Sequence, residues 1–198
     1  MSEPVVIVGS GLAGYAVARE LRKLDAEMPV LMLSADHGGF YSKPMLSNAL
    51  STGKTPESIV NGDAVQMAAQ LKIAIRPHCR VAAIEQSNNT VILADEERIR
   101  YGSLVLALGA DQIRLTLLGD GADEIFTVND LDDYKNFRSA LEGKRRVGII
   151  GAGLIGCEFA NDLAVAGYHV NVIDIGAQPL GRLLPPAAGE FLQRKLEA

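Results

Sequence analysis

The chain has 198 residues, of which 48% are hydrophobic and 22% charged, so it can build one or two globular domains around a sizeable core. A net charge of −5, with Lys144-Arg145-Arg146 as its basic triplet, excludes a general nucleic-acid binder, because no basic stretch can neutralise a row of phosphates. No run approaches the roughly 20 apolar residues of a membrane span. Ser2-Glu3-Pro4 enters a strand without a basic leader, which predicts a cytoplasmic protein with no membrane association.

The apolar run Val5-Val6-Ile7-Val8 predicts a strand over 4–9 that feeds Gly9-Ser10-Gly11-Leu12-Ala13-Gly14. A helix follows over 12–24, with Ala13, Val17, Ala18, Leu21 and Leu24 at helical spacing, and Pro29 opens a second strand over 29–34. In a GxGxxG turn the first glycine makes the tight bend and the second lets a pyrophosphate approach the backbone. The third brings helix and strand together, and the helix N-terminus faces the phosphate charge. An acid ending the second strand accepts hydrogen bonds from the adenosine ribose. Asp36 holds that place two residues late, so Ser34 and Ala35 are expected to share the rim through backbone and hydroxyl. One such turn alone is also compatible with a ligand-free bend, and Asp36 with a solvated loop position.

A loop over 35–44 and a short helix through Leu50 come next, and then a loop over 51–56. Asp63 caps a predicted helix ending at Leu71, followed by a short strand over 73–75. The alternating runs Arg80–Glu85 and Thr90–Leu93, joined by Ser87-Asn88-Asn89, predict a β-hairpin. Residues 103–109 read as a buried strand ending in Gly109, and Asn129 or Asp130 caps a helix through Leu141.

The glycine pattern then recurs. A strand over 146–151 feeds Gly151-Ala152-Gly153-Leu154-Ile155-Gly156, and a strand over 168–174 ends on Asp174. Residues 179–186 are irregular, and a helix is predicted over 187–198. A carboxylate placed like Asp174 binds two ribose hydroxyls and repels a 2′-phosphate, which favours NADH, although Arg182 stands eight residues on. Two complete units imply two dinucleotides held for electron traffic, a flavin and NADH. The fold expected is α/β, with two Rossmann-like domains over 1–113 and 114–198. The first has a parallel sheet with an inserted hairpin. The second, with only two strands, reads as truncated, as in the N-terminal piece of a longer protein. Cys79 and Cys157 lack the C-x2-C or C-x4-C spacing of a redox dithiol, so disulfide reduction through such a pair is not expected.

Gly151 to Leu163 and Tyr41-Ser42-Lys43-Pro44-Met45-Leu46-Ser47-Asn48 closely resemble the NADH:rubredoxin reductases. These belong to the FAD/NAD(P)-dependent pyridine nucleotide oxidoreductases, together with the ferredoxin reductases of oxygenase systems. The resemblance extends through Asn129-Asp130-Leu131 and 179–184. It implies FAD at the first turn, NADH at the second, and electrons passed to rubredoxin or a similar small iron–sulfur or iron carrier. A ferredoxin or flavorubredoxin acceptor, or a non-catalytic dinucleotide module, are the competing readings.

The resemblance also implies site residues. Lys43 lies against the flavin, where its cation stabilises the reduced ring, although in isolation it reads as a surface lysine. Glu158 reaches the flavin–nicotinamide junction, although an acid in a first helical turn also simply suits the dipole. Val81 reads the adenine edge through its backbone, compatibly with being a strand core residue. Gly109 falls in Ala107-Leu108-Gly109-Ala110, where Leu108 replaces the family's Thr and its hydroxyl contact. Asn48 stands where ferredoxin reductases carry a second Lys. His37, His78 and His169 lack metal spacing, and no metal site is expected.

Overall fold

The computed structural model describes residues 3–113 and 115–197. In chain order the elements are β1 (Val5–Val8), α1 (Leu12–Leu24), β2 (Val30–Leu33), a 3-10 turn (Lys43–Ser47), α2 (Pro56–Ile59) and α3 (Ala64–Leu71). Then come β3 (Ala74–Arg76), β4 (Val81–Glu85), β5 (Thr90–Leu93), β6 (Arg98–Arg100) and β7 (Ser103–Leu106). The chain continues through α4 (Leu131–Ala140), β8 (Arg146–Ile150), α5 (Leu154–Val165), β9 (His169–Ile173) and α6 (Pro186–Leu196). It divides into two compact units, Met1–Lys43 with Val60–Arg114 and Pro44–Ile59 with Leu115–Ala198. A single boundary after 113 would put residues 44–59 with the first domain, yet they pack with the second unit.

The first unit is built on a parallel sheet of order β3-β2-β1-β7, in which Val5 is level with Val30 on one side and Ser103 on the other. Side chains alternate across a strand. Ile7 therefore joins Tyr15, Ala18, Met67 and Leu71 under α1 and α3, while Val6 and Val8 meet Val91, Leu93 and Tyr101 on the opposite face. Burial on both faces is why Val-Val-Ile-Val has no polar alternate. The second face is covered by an antiparallel sheet of order β4-β5-β6. This is the expected hairpin, extended by a strand that one apolar residue, Ile99, did not announce. Asn89 turns the hairpin with φ +47, a left-handed conformation that Asn tolerates.

Asp63 begins α3 with a reciprocal capping box: its carboxylate accepts the Gln66 amide at 2.8 Å, and its own amide donates to Gln66 Oε1 at 3.0 Å. Such caps contribute about 0.5–2 kcal/mol. The buried strand expected over 103–109 is corrected: β7 stops at Leu106, with Leu106 and Leu108 exposed. Among the described residues it lies at the edge of the sheet and pairs with β1 alone, without the second neighbour that buries a central strand.

In the second unit β8 and β9 pair in parallel, Arg146 level with His169, and they are the whole sheet among the described residues. The buried side chains include Leu131 and Tyr134 of α4 and Ala160 and Leu163 of α5, while β8 and β9 contribute none that is fully buried. Phe137 and Phe159 join α4 to α5 edge-to-face at 5.9 Å. Asp130 caps α4 by accepting the Asp133 amide at 2.8 Å. Helix α6 begins on Pro186, a residue earlier than expected, because proline's fixed φ and missing N–H suit a first helical turn; residue 198 lies outside the described residues. Among the described residues no helix is long and apolar enough to cross a membrane.

Candidate functional site

The two glycine turns have one backbone geometry. Gly9 has φ +112 and Gly151 has φ +107, a region that side-chain-bearing residues rarely enter. A Cβ on Gly14 would lie 2.0 Å from Gly9 O, and one on Gly156 1.9 Å from Gly151 O, so the third glycine lets the helix sit on its strand. The middle glycines differ in kind. Gly11 (φ −74, ψ −173) and Gly153 (φ −76, ψ −175) have extended backbones that any residue adopts, and a Cβ on either would meet nothing within 4 Å. The fold does not require glycine there, yet both copies keep the space clear. Each clear space lies at the start of a long helix with no side-chain cap and no acid in its first turn. The first-turn amides and the positive dipole end are thus left for an anion. Ser10 is buried, Leu12, Ala13, Leu154 and Ile155 are exposed, and these residues wall the two turns.

The acids are tied in by different means. Asp36 Oδ1 accepts the Gly38 amide at 2.8 Å, Ser10 Oγ at 3.1 Å and the Ser34 hydroxyl. Burial would push this carboxyl up, but the Ser34 hydroxyl, the Gly38 amide, His37 and Ser10 together outweigh it and hold the group below its ordinary value. Ser34 is 2% exposed and lies 2.6 Å from Ser10 Oγ, so its hydroxyl braces the turn and is not offered at the rim as expected; Ala35 is the exposed residue there. Asp174, directly after β9, accepts the Ala152 amide on one oxygen and the Gly176 amide on the other, both at 2.6 Å. Those two amides hold its carboxyl below the ordinary value against slight desolvation, with help from Arg182. A carboxylate has about four acceptor positions, so two remain for hydroxyls.

Lys43 is exposed at the head of the 3-10 turn. Val81 starts β4 level with Leu93, beside a register shift at Ala82, and packs on the Val6/Val8 face. Gly109 follows β7 at φ +71, with nothing within 4 Å of where a Cβ would point. All three belong to the first unit, with the first glycine turn.

Glu158 is the fifth residue of α5, past the first turn where it was expected because the helix starts at Leu154, and its Oε2 accepts the Ser47 hydroxyl at 2.5 Å. One turn later Asp162, also on α5, is 2% exposed and accepts the amides of Leu50 at 3.1 Å and Ser51 at 2.8 Å. The spacing of the motifs did not mark Ser47 or Asp162. The available signal was a second acid at i+4 from Glu158 on the same helix. Cys79 and Cys157 are free thiols. Burial, then the charge of Asp174, pushes the Cys157 thiol up, which makes it a poor nucleophile.

Two clear spaces before uncapped helices, each followed by a fixed carboxylate, fit the pyrophosphate and ribose of two dinucleotides. The profile of a family described as pyridine nucleotide-disulphide oxidoreductase matches residues 3–198. The Rubredoxin-NAD(+) reductase of Acinetobacter baylyi is 50% identical over 199 residues, covering 98% of this chain and 51% of that protein. Among solved structures, the covalent putidaredoxin reductase–putidaredoxin complex matches with TM-score 0.87 at 30% identity, covering 98% of this chain and 48% of that one. The NADH:rubredoxin oxidoreductase of Clostridium acetobutylicum matches with TM-score 0.85 at 26% identity, covering 100% of this chain and 51% of that one. The chain spans about half the length of the curated relatives it matches.

Proposed function

The chain belongs to the pyridine nucleotide-disulphide oxidoreductase family, and from that premise we propose that the protein is a cytoplasmic FAD-dependent oxidoreductase. It takes hydride from NADH and passes electrons to rubredoxin or a similar small iron–sulfur or iron carrier. The observation that carries this reading is the pair of clear spaces at Gly11 and Gly153, each in front of an uncapped helix. Gly9, Gly11 and Gly14 are assigned to FAD, and Gly151, Gly153 and Gly156 to NADH. When bound, the flavin accepts hydride and releases electrons singly.

The chain's own residues bind and orient. The first-turn amides of α1 and α5 receive the pyrophosphates, and Leu12, Ala13, Leu154 and Ile155 keep water from them. Asp36, with Ala35, holds the FAD ribose, Val81 the adenine edge by its backbone, and Gly109 admits the cofactor where a side chain would project. Asp174 holds the NADH ribose with the lone pairs its two amides leave free. Lys43 places a cation against the flavin, and Glu158 accepts a hydrogen bond from the nicotinamide carboxamide or the flavin edge.

The acceptor assignment is supported by the rubredoxin reductases at about half identity over nearly the whole chain. Likeness to the putidaredoxin reductase complex supports a ferredoxin-type acceptor as the second reading. Titration of the purified protein with NADH, followed by visible absorbance, should bleach the flavin, and rubredoxin should restore the colour faster than a ferredoxin. A protein that takes up no FAD, or a flavin that NADH leaves oxidised, overturns the reading.

A further inference from the structure

Asp162 is a carboxylate withdrawn from water, and such a group is costly unless its lone pairs are used. Its partners are the amides of Leu50 and Ser51, on a segment more than a hundred residues earlier in the chain. Glu158, one turn before it on the same face of α5, accepts the hydroxyl of Ser47 from that same segment. The other side of the segment is held by Arg138 of α4, which donates to Lys54 O at 2.9 Å and to Tyr134 Oη at 3.0 Å. Ser47 is 3% exposed, and its single hydroxyl proton has two acceptors in range, Glu158 Oε2 at 2.5 Å and Pro44 O at 3.0 Å. Where that hydroxyl sits relative to Glu158 therefore depends on where the segment is seated.

We propose that Asp162 is a positioning residue for Glu158. By seating Leu50 and Ser51 it fixes the level at which Ser47 meets the Glu158 carboxylate, and so holds that carboxylate in one orientation for the nicotinamide. The last clause rests on the assignment of NADH to the second glycine turn. A glutamate turns about three side-chain bonds, so one strong hydrogen bond at its tip removes most of its freedom. Asn48, beside Ser47, carries no charge, and the neutral Ser47 hydroxyl is the group that donates to Glu158 at 2.5 Å.

The test uses the purified protein with Asp162→Asn, Ser47→Ala, Ser47→Thr and the Asp162→Asn/Ser47→Ala double variant. Amide hydrogen exchange at 49–52 reads the seating without cofactor. D162N should speed it about ten-fold, and S47A should leave it unchanged. Both single variants should slow flavin reduction by NADH about ten-fold, and S47T should recover most of the rate, since one lost charge-assisted hydrogen bond is of that order. The double variant should be no slower than either single one, because both act on the same contact. If D162N does not fold, D162E, which keeps the charge but shifts it by a methylene, is read the same way. Faster exchange with unchanged reduction, or a double variant slowed by the product of the two effects, overturns the proposal. Failure of the site assignment looks different: the unmodified protein would not be reduced by NADH, whatever its exchange.

Discussion

The two glycine turns have nearly identical backbones and unlike surroundings. Gly9 and Gly151 differ by 5° in φ, from +112 to +107, and Gly14 and Gly156 close on their turns at 2.0 and 1.9 Å. Around the first turn, a Cβ on Gly9 would lie 2.1 Å from Ala107 O, because the chain leaving β7 runs past it; around Gly151 nothing lies within 4 Å. The acids are braced differently too, Asp36 by two serine hydroxyls and an amide, Asp174 by two amides alone. Local sequence is enough to shape the turn. The neighbouring strands decide how much else depends on it.

That contrast is broken most severely at the first glycine. Gly9→Ala combines backbone strain of about 1–3 kcal/mol with a clash against backbone of about 1–3 kcal/mol. Gly151→Ala carries only the strain. Thermal unfolding of the two variants should give the larger drop in Tm for Gly9→Ala; equal drops would mean that Ala107 yields.

The middle glycines come next. Gly11→Val and Gly153→Val place side chains in clear space, so the unliganded protein should keep its Tm. Gly11→Val should weaken FAD, and Gly153→Val should weaken NADH, each on the order of 100-fold. Flavin absorbance after purification and NADH titration separate the two, and an exchange of these phenotypes would reverse the assignment of the turns.

A smaller effect follows at Asp174. Its replacement by Ala should lower kcat/KM for NADH roughly ten-fold while sparing NADPH, so that the preference narrows. An unmodified protein that used both cofactors equally would remove Asp174 from this role.

The smallest difference concerns acid. Both carboxyls are depressed in the folded chain, so each contributes stability that is present above the unfolded value near pH 3.9 and lost as pH falls through its lower folded value. Asp36 is partly buried and Asp174 is open to solvent. Asp36→Asn should therefore flatten the acid limb of a stability–pH curve more than Asp174→Asn does. The reverse order would mean that the serine bracing of Asp36 contributes little.

Much of this was legible beforehand, for local reasons. Helix α1 and the Asp63-capped α3 fall at their expected bounds because spacing and caps lie within a few residues of each other in sequence. The glycine turns follow from six consecutive residues each. What was not legible depends on remote partners: β6 owes its existence to the hydrophobic face that receives Ile99, and the early end of β7 to its edge position. Ser34 was expected to offer its hydroxyl outward, but it is buried against Ser10, 24 residues away, and donates to Asp36. Ser47 and Asp162 emerge only once residues 111 or more apart are brought together.

That separation also fixes an order of manufacture. Leu50 leaves the ribosome 112 residues before Asp162. At about 5–20 residues per second, the segment around it waits roughly ten seconds for the helix that will anchor its amides. Through that interval Ser47, Leu50 and Ser51 lack the α5 carboxylates that receive their hydroxyl and amides, while Leu46, Ala49 and Ile59, all buried in the finished unit, belong to the same segment. The first unit must close its own sheet across the gap between Lys43 and Val60 while this loop stays outside it. A nascent chain stalled before residue 162 should therefore be cut by protease within 44–59 and protected at β1, and the cut should disappear once α5 has emerged.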